Sequence, residues 1–258
     1  MPDTLILSIL IGTSVGLSAG YLGSLMVLEK MALVGDALSH VALPGLALGI
    51  LFNFNPYLGA FAFLFASAVI VWHLGRVTKL SFETIVGAMF TLALAIGILI
   101  MRDRTELLEA LFGDITQVTM LETVVGVIVS AVALFLARMI YKKLVLGMIS
   151  EDLAISKGID VSKTNLLYLL LVSLVVAVGL KIVGSLLVGF LLIVPAAAAK
   201  NVSANLVKYS ALSAVFGAAS TCSGILFSSY LSLEPGPLVV FSGIAIFVAT
   251  VVAKWQAK

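Results

Sequence analysis

The sequence predicts an all-α protein, a polytopic bundle of about 8–9 transmembrane helices in a single domain over residues 1–258. Three observations predict it. Hydrophobic residues make up 62% and charged residues 11% of the chain, against about 25% charged in an ordinary soluble domain. The charges gather between long apolar runs, so the apolar surface must meet lipid. Those runs are apolar on every side, as in LLYLLLVSLVVAVGL from Leu166 to Leu180. Backbone in lipid must satisfy its own hydrogen bonds, which leaves helices or a closed barrel, and a barrel would alternate with period two.

A span needs roughly 20 apolar residues. In chain order the candidates are 4–27, 33–51, 57–75, 82–101, 119–141, 164–181, 183–199, 206–229 and 237–254. The first has no basic stretch before it and no small-residue cleavage site, so it reads as a retained helix and not a signal peptide. The sixth and seventh form one apolar stretch broken only by Lys181 and Gly184, and one of them could be short or broken. Lys and Arg concentrate in cytoplasmic loops. Arg76 and Lys79 follow span three; Arg138, Lys142, Lys143, Lys157 and Lys163 surround the loop after span five; Lys200 and Lys208 follow span seven; Lys254 and Lys258 end the chain. With nine spans all of these share one side, with the C-terminus inside and the N-terminus outside. Lys181 falls on the wrong side.

Several functions are excluded or disfavoured. The net charge of +2 gives no case for nucleic acid. Cys222 is the only cysteine, so neither an internal disulfide nor a thiolate metal cluster can form within one chain. No GxxxxGK[ST] pattern occurs, so ATP cannot bind by that route and a pump would draw its energy from another subunit. The external segment 102–118 carries Glu106, Glu109 and Asp114. These could face an arriving cation or a binding protein, or simply decorate a solvated loop.

The most informative ionisable residues within the spans are Asp36 and His40, in Gly35-Asp36-Ala37-Leu38-Ser39-His40-Val41-Ala42-Leu43-Pro44-Gly45. Four residues apart, they share one face of a helix. A carboxylate and an imidazole can then converge on a divalent ion such as zinc, manganese or iron. Pro44 has no N–H, so the carbonyl of residue 40 loses its helical donor. Gly35, Gly45 and Gly49 allow another helix to approach closely. The alternatives are that the two side chains pair structurally, or that Asp36 lies cheaply near the cytoplasmic interface. Ionisable groups in spans nevertheless point to function. One pair offers two ligands where zinc takes about four, so two chains around a two-fold axis would complete the set. His73, beside Trp72 at the end of span three, reads as interfacial.

The loop 142–163 encodes a short helix. Ser150 is a good N-cap, Glu151 and Asp152 sit where the helix dipole favours anions, and Gly158 suits the C′ position. Leu153 and Ile155 would be wasted on water but would fit a partner's apolar groove; a plain interfacial connector is the alternative. Glu83, at the start of span four, is well placed by the dipole alone, with a functional role as the second possibility. Pro195 in LLIVPAAAA is expected to break a helix and free the carbonyl of Leu191, with Ala196–Ala199 packing closely.

Four segments together resemble a known family: MALVGDALSHVALPGLALG (31–49), SFETIVGAMFTLALAIGILI (81–100) followed by ALFGDI (110–115), SEDLAISKGIDV (150–161) and LKIVGSLLVGFLLIVPAAAAK (180–200). The chain resembles the membrane permease of ATP-binding-cassette importers for zinc, manganese or iron. The resemblance covers nearly the whole chain, and the first and third segments carry most of it. It implies a type II importer-like bundle in a bacterial cytoplasmic membrane. Two copies would assemble with two cytoplasmic ATPase subunits, which bind the ATP, and with an extracytoplasmic metal-binding protein. Asp36 and His40 match the family's metal-pathway positions. The helix near 150–158, with Glu151, Asp152, Leu153, Ala154 and Gly158, matches its ATPase-coupling helix. The chain itself would be no enzyme and would hold no cofactor, only the transported ion. The competing class is an ATP-independent secondary transporter or channel, but no internal repeat supports it. An intramembrane zinc hydrolase lacks a second histidine motif or a general-base carboxylate.

Overall fold

A computed structural model describes residues 2–78, 80–100 and 118–256. The described residues form helices joined by short turns: α1 Pro2–Leu28, α2 Ala32–Val41, α3 Leu43–Leu51, α4 Pro56–Thr78, α5 Phe82–Ile100, α6 Met120–Ile149, α7 Glu151–Ser156, α8 Val161–Val183, α9 Ser185–Val202, α10 Leu206–Leu231 and α11 Pro235–Gln256. Glu106, Glu109 and Asp114 lie outside the described residues.

Among the described residues, eight segments are long and apolar enough to cross a bilayer. They match eight of the nine expected runs. The run 183–199 becomes α9, whose described part is shorter than a full span. α8 leaves one end of the bundle at Val161 and α9 comes back to that end at Val202. The chain turns between them at Gly184, whose φ of 78° and ψ of 168° are open essentially to glycine alone. Lys181 therefore belongs to the approach to this turn and marks no loop of its own.

The basic helix ends do converge. The ends of α1, α4 and α6, the starts of α5 and α8, and α7 all border one cavity. Ala196 and Ala199 of α9 and Tyr209 of α10 pack on Val27 and Leu28 at the end of α1. Asn201 donates to Thr250 near the end of α11. At the far end, Tyr57 and Leu58 of α4 and Leu121 and Glu122 of α6 line one pocket.

α1 is the central strut, packed against α10, α9, α6 and α8. Membrane helices gain no hydrophobic free energy by leaving lipid, so close backbone approach must hold them. Gly16 and Gly20 meet Gly217 and Ser213 of α10 without room for a methyl group. Ser24 donates to Ser210 at 2.9 Å, and the Tyr168 hydroxyl donates to the Leu22 carbonyl at 2.9 Å. Gly35, Gly45 and Gly49 pack as expected, against Leu192 and Met26, against Gly59, and against Pro56 respectively.

Two proline expectations resolve differently. The span over 33–51 breaks at Ala42, and Pro44 enters the first turn of α3, where a missing N–H is harmless. The Ala42 N–H turns to the His40 carbonyl that Pro44 cannot serve. Pro195, by contrast, does not break its helix: α9 runs through it from Ser185 to Val202. Ala196, Ala198 and Ala199 are fully buried around it, so tight packing holds the helix together across the lost hydrogen bond.

Candidate metal pathway and coupling face

Asp36 and His40 lie one turn apart on α2, both half-buried. The His40 ring meets Phe90 with centroids 5.4 Å apart. Phe90 stands midway along α5, so His40 sits near mid-depth in the bundle, with Asp36 one turn, about 6 Å, nearer the basic end.

The opposing wall is α9. A Cβ placed on Gly189 would stand 2.5 Å from Asp36 Oδ1 and 2.7 Å from Asp36 Cα, so only a glycine lets α9 lie this close. Ser39 donates to the Asp36 carbonyl at 2.6 Å and stays out of the site. Among the described residues, no cluster of three or more His, Cys, Asp and Glu side chains could hold a metal. The pair alone can offer an ion one imidazole and one carboxylate. Neither Phe90 nor Gly189 was singled out from the sequence: each lies in an apolar run, and nothing in such a run says which helix it will face.

The remaining residues of interest scatter along the basic end. Glu83 is exposed in the first turn of α5, away from the pair. His73 is exposed beside Trp72, as expected of an interfacial residue. The short helix forms over Glu151–Ser156, and the Ser150 hydroxyl accepts from the Leu153 N–H at 3.2 Å. It ends in a Schellman pair: Gly158 N–H donates to Ile155 O at 2.8 Å and Ile159 N–H to Ala154 O at 3.0 Å. Gly158 has φ +75°. Ala154 is buried against the bundle, while Leu153 and Ile155 are 45% and 58% exposed. The helix thus anchors on one side and presents aliphatic side chains on the other.

Beneath it lies a cavity of about 470 Å³ bordered by Glu29, Trp72, Arg76, Phe82, Glu151 and Asn165. The Trp72 indole donates to Ser162, and Arg76 stacks over the Trp72 ring at 5.1 Å. Glu29, just past the apolar part of α1, is pushed up to about 7 by burial. An acid raised in the folded state stabilises the fold fully below its unfolded pKa, and that contribution is lost as pH rises through the folded value. Thermal unfolding of the detergent-solubilised protein should therefore show stability falling between about pH 4.5 and 7. Glu29→Gln should flatten that part of the profile, and an unchanged slope would refute the assignment.

Such a bundle of long apolar helices, with an Asp–His pair on α2 and a capped helix on its basic face, is that of a multi-pass membrane protein. The ABC 3 transport family matches residues 1–254, and the chain belongs to it. It is 30% identical over 243 residues to the manganese transport system membrane protein MntC of Listeria monocytogenes, covering 93% of this chain and 87% of that one. It is 32% identical over 235 residues to the high-affinity zinc uptake system membrane protein ZnuB of Buchnera aphidicola, covering 89% and 90%. The solved structure of PsaBC from Streptococcus pneumoniae in complex with Fab superposes with a TM-score of 0.82 at 28% identity, covering 94% of this chain and 89% of the other. The protein is a multi-pass permease of the cytoplasmic membrane.

Proposed function

We propose that this chain is the membrane subunit of an ATP-driven importer that carries manganese or zinc into the cytoplasm. The observation that carries the reading is the Asp36–His40 pair, one turn apart on α2, in a permease whose relatives are named for manganese and zinc transport. Two copies face each other, so that two Asp–His pairs surround one path. Each copy alone supplies two ligands where an ion such as zinc takes about four. Incomplete coordination suits transport, because a site that held the ion fully would not release it.

An extracytoplasmic protein delivers the metal. Two cytoplasmic ATPase subunits close on ATP and move the two α7 helices. Leu153 and Ile155 of α7 seat in an apolar cleft of each ATPase, with Glu151 and Asp152 at its rim. The reading is tested by ATP hydrolysis and metal uptake in proteoliposomes that contain the permease, its ATPase and the loaded binding protein, run across manganese, zinc and iron. Uptake that proceeds at the same rate without ATP would overturn it.

α7 gives a separable prediction. The left-handed backbone at Gly158 has open space around it, so Gly158→Val introduces no clash but a β-branched residue where φ is +75°, which is strongly disfavoured. The helix end should rearrange and lose its register with the ATPase. ATP hydrolysis is expected to continue while uptake per ATP falls by about tenfold, equivalent to roughly 1.4 kcal/mol of coupling. Normal uptake per ATP would remove α7 from the coupling role.

A further inference from the structure

His40 has one nitrogen for which the pathway has no use. Its Nδ1 is buried and without a hydrogen-bond partner among the described residues. A histidine that holds a metal firmly almost always donates its second N–H to a carboxylate, a carbonyl or a water. That bond fixes the ring and raises the basicity of the ligating nitrogen. The polar groups nearest in sequence are engaged elsewhere. The Ser39 hydroxyl bonds the Asp36 carbonyl, and Thr91, next to Phe90, donates to the Gly87 carbonyl at 2.9 Å. What His40 meets from α5 is the Phe90 ring, edge-on at 61° with centroids 5.4 Å apart.

We propose that Phe90 is a positioning residue that holds the His40 ring in place while denying its Nδ1 a hydrogen-bond acceptor, so that Nε2 remains a weak ligand and the ion is passed on instead of retained. The inference rests on the Asp36/His40 pathway proposed above. Its physics is general. An aromatic edge contact orients a neighbouring ring through the ring quadrupole, and an N–H facing a ring is bound far more weakly than one facing a carbonyl. Losing an outer-shell partner ordinarily lowers metal affinity about 10- to 100-fold. Here the fold builds in that weakness by burying a ligand's second nitrogen without a hydrogen-bond partner among the described residues.

The test installs the missing acceptor. Phe90→Gln, in the full complex with its ATPase and loaded binding protein, offers an amide oxygen from the position that packs on the His40 ring. Radiolabelled manganese and zinc are followed in two ways: as uptake kinetics in proteoliposomes, and as ion retained by the detergent-solubilised complex after desalting. KM and kcat should both fall by about tenfold, and retained ion should rise by the same factor. Phe90→Leu, which restores no acceptor, should leave retention at the wild-type level. The double variant H40A/F90Q should lose the gain in retention. Should F90Q fail to assemble, Phe90→His offers an acceptor on a ring of similar breadth and is read the same way. Unchanged retention in the assembled variant overturns the inference. So does a raised KM without retention, which marks mere packing damage. Normal uptake by His40→Ala alone would instead show that the underlying pathway is wrong.

Discussion

Asp36→Ala and His40→Ala should each cut metal uptake by about 100-fold or more while leaving the permease assembled with its ATPase. The size follows from the ligand count. Removing a mere outer-shell partner costs about 10- to 100-fold in metal affinity, and each of these changes removes one of the two ligand types. Assembly should survive, because among the described residues neither side chain makes a hydrogen bond to another helix. The contacts that tie α2 to α9 are instead those of Gly35 and Gly189. Asp36→Asn and His40→Gln should fall between: the first keeps an oxygen ligand but loses the charge, and the second replaces the imidazole nitrogen with a neutral amide oxygen. The readouts are radiolabelled uptake in proteoliposomes and co-elution of the ATPase. If both alanine variants transport normally, these residues do not line the path.

Gly189→Ala should produce the second large effect without touching either ligand. The added methyl group would stand 2.5 Å from Asp36 Oδ1 and 2.7 Å from its Cα. No side-chain rotation relieves contact with a Cα, so α9 and α2 must part. Overpacking of this kind costs about 1–3 kcal/mol, which a bundle held elsewhere can absorb. The carboxylate cannot absorb it: a displacement near 1 Å at a reacting or coordinating group costs about 100-fold. Assembled complex should thus be recovered in reduced yield, with uptake down by about tenfold or more per complex. Gly87→Ala is the control, because nothing stands within 4 Å of its Cβ position. It should transport as wild type. Equal behaviour of the two variants would mean that the Gly189 contact is not what places Asp36.

The Asp36–His40 spacing was legible because a helix repeats every 3.6 residues, so four positions apart is one face whatever the rest of the chain does. The same locality made α7 readable: the Ser150 cap and the Gly158 stop act within a few residues of themselves. Pro44 ended a helix as its missing N–H requires, yet Pro195 did not. The difference lies in the surroundings. Pro195 is flanked by fully buried alanines whose packing keeps the helix intact, and one stretch of sequence does not say what will press against it. Glu29 was passed over for a related reason. An acid after an apolar run looks solvated, and only the convergence of six helices around it withdraws it from water.

The bundle, its lipid setting, its basic face and the shared helix face of Asp36 and His40 were determined by sequence alone, because composition, helical period and charge clustering are properties of the chain. The tertiary structure decided what that pair meets. It turned the run after Leu180 back on itself at Gly184 and brought Gly189 onto Asp36. It also placed Phe90 on the His40 ring. Those contacts join residues far apart in the chain through apolar surfaces that look alike in sequence, and only close packing distinguishes one such surface from another.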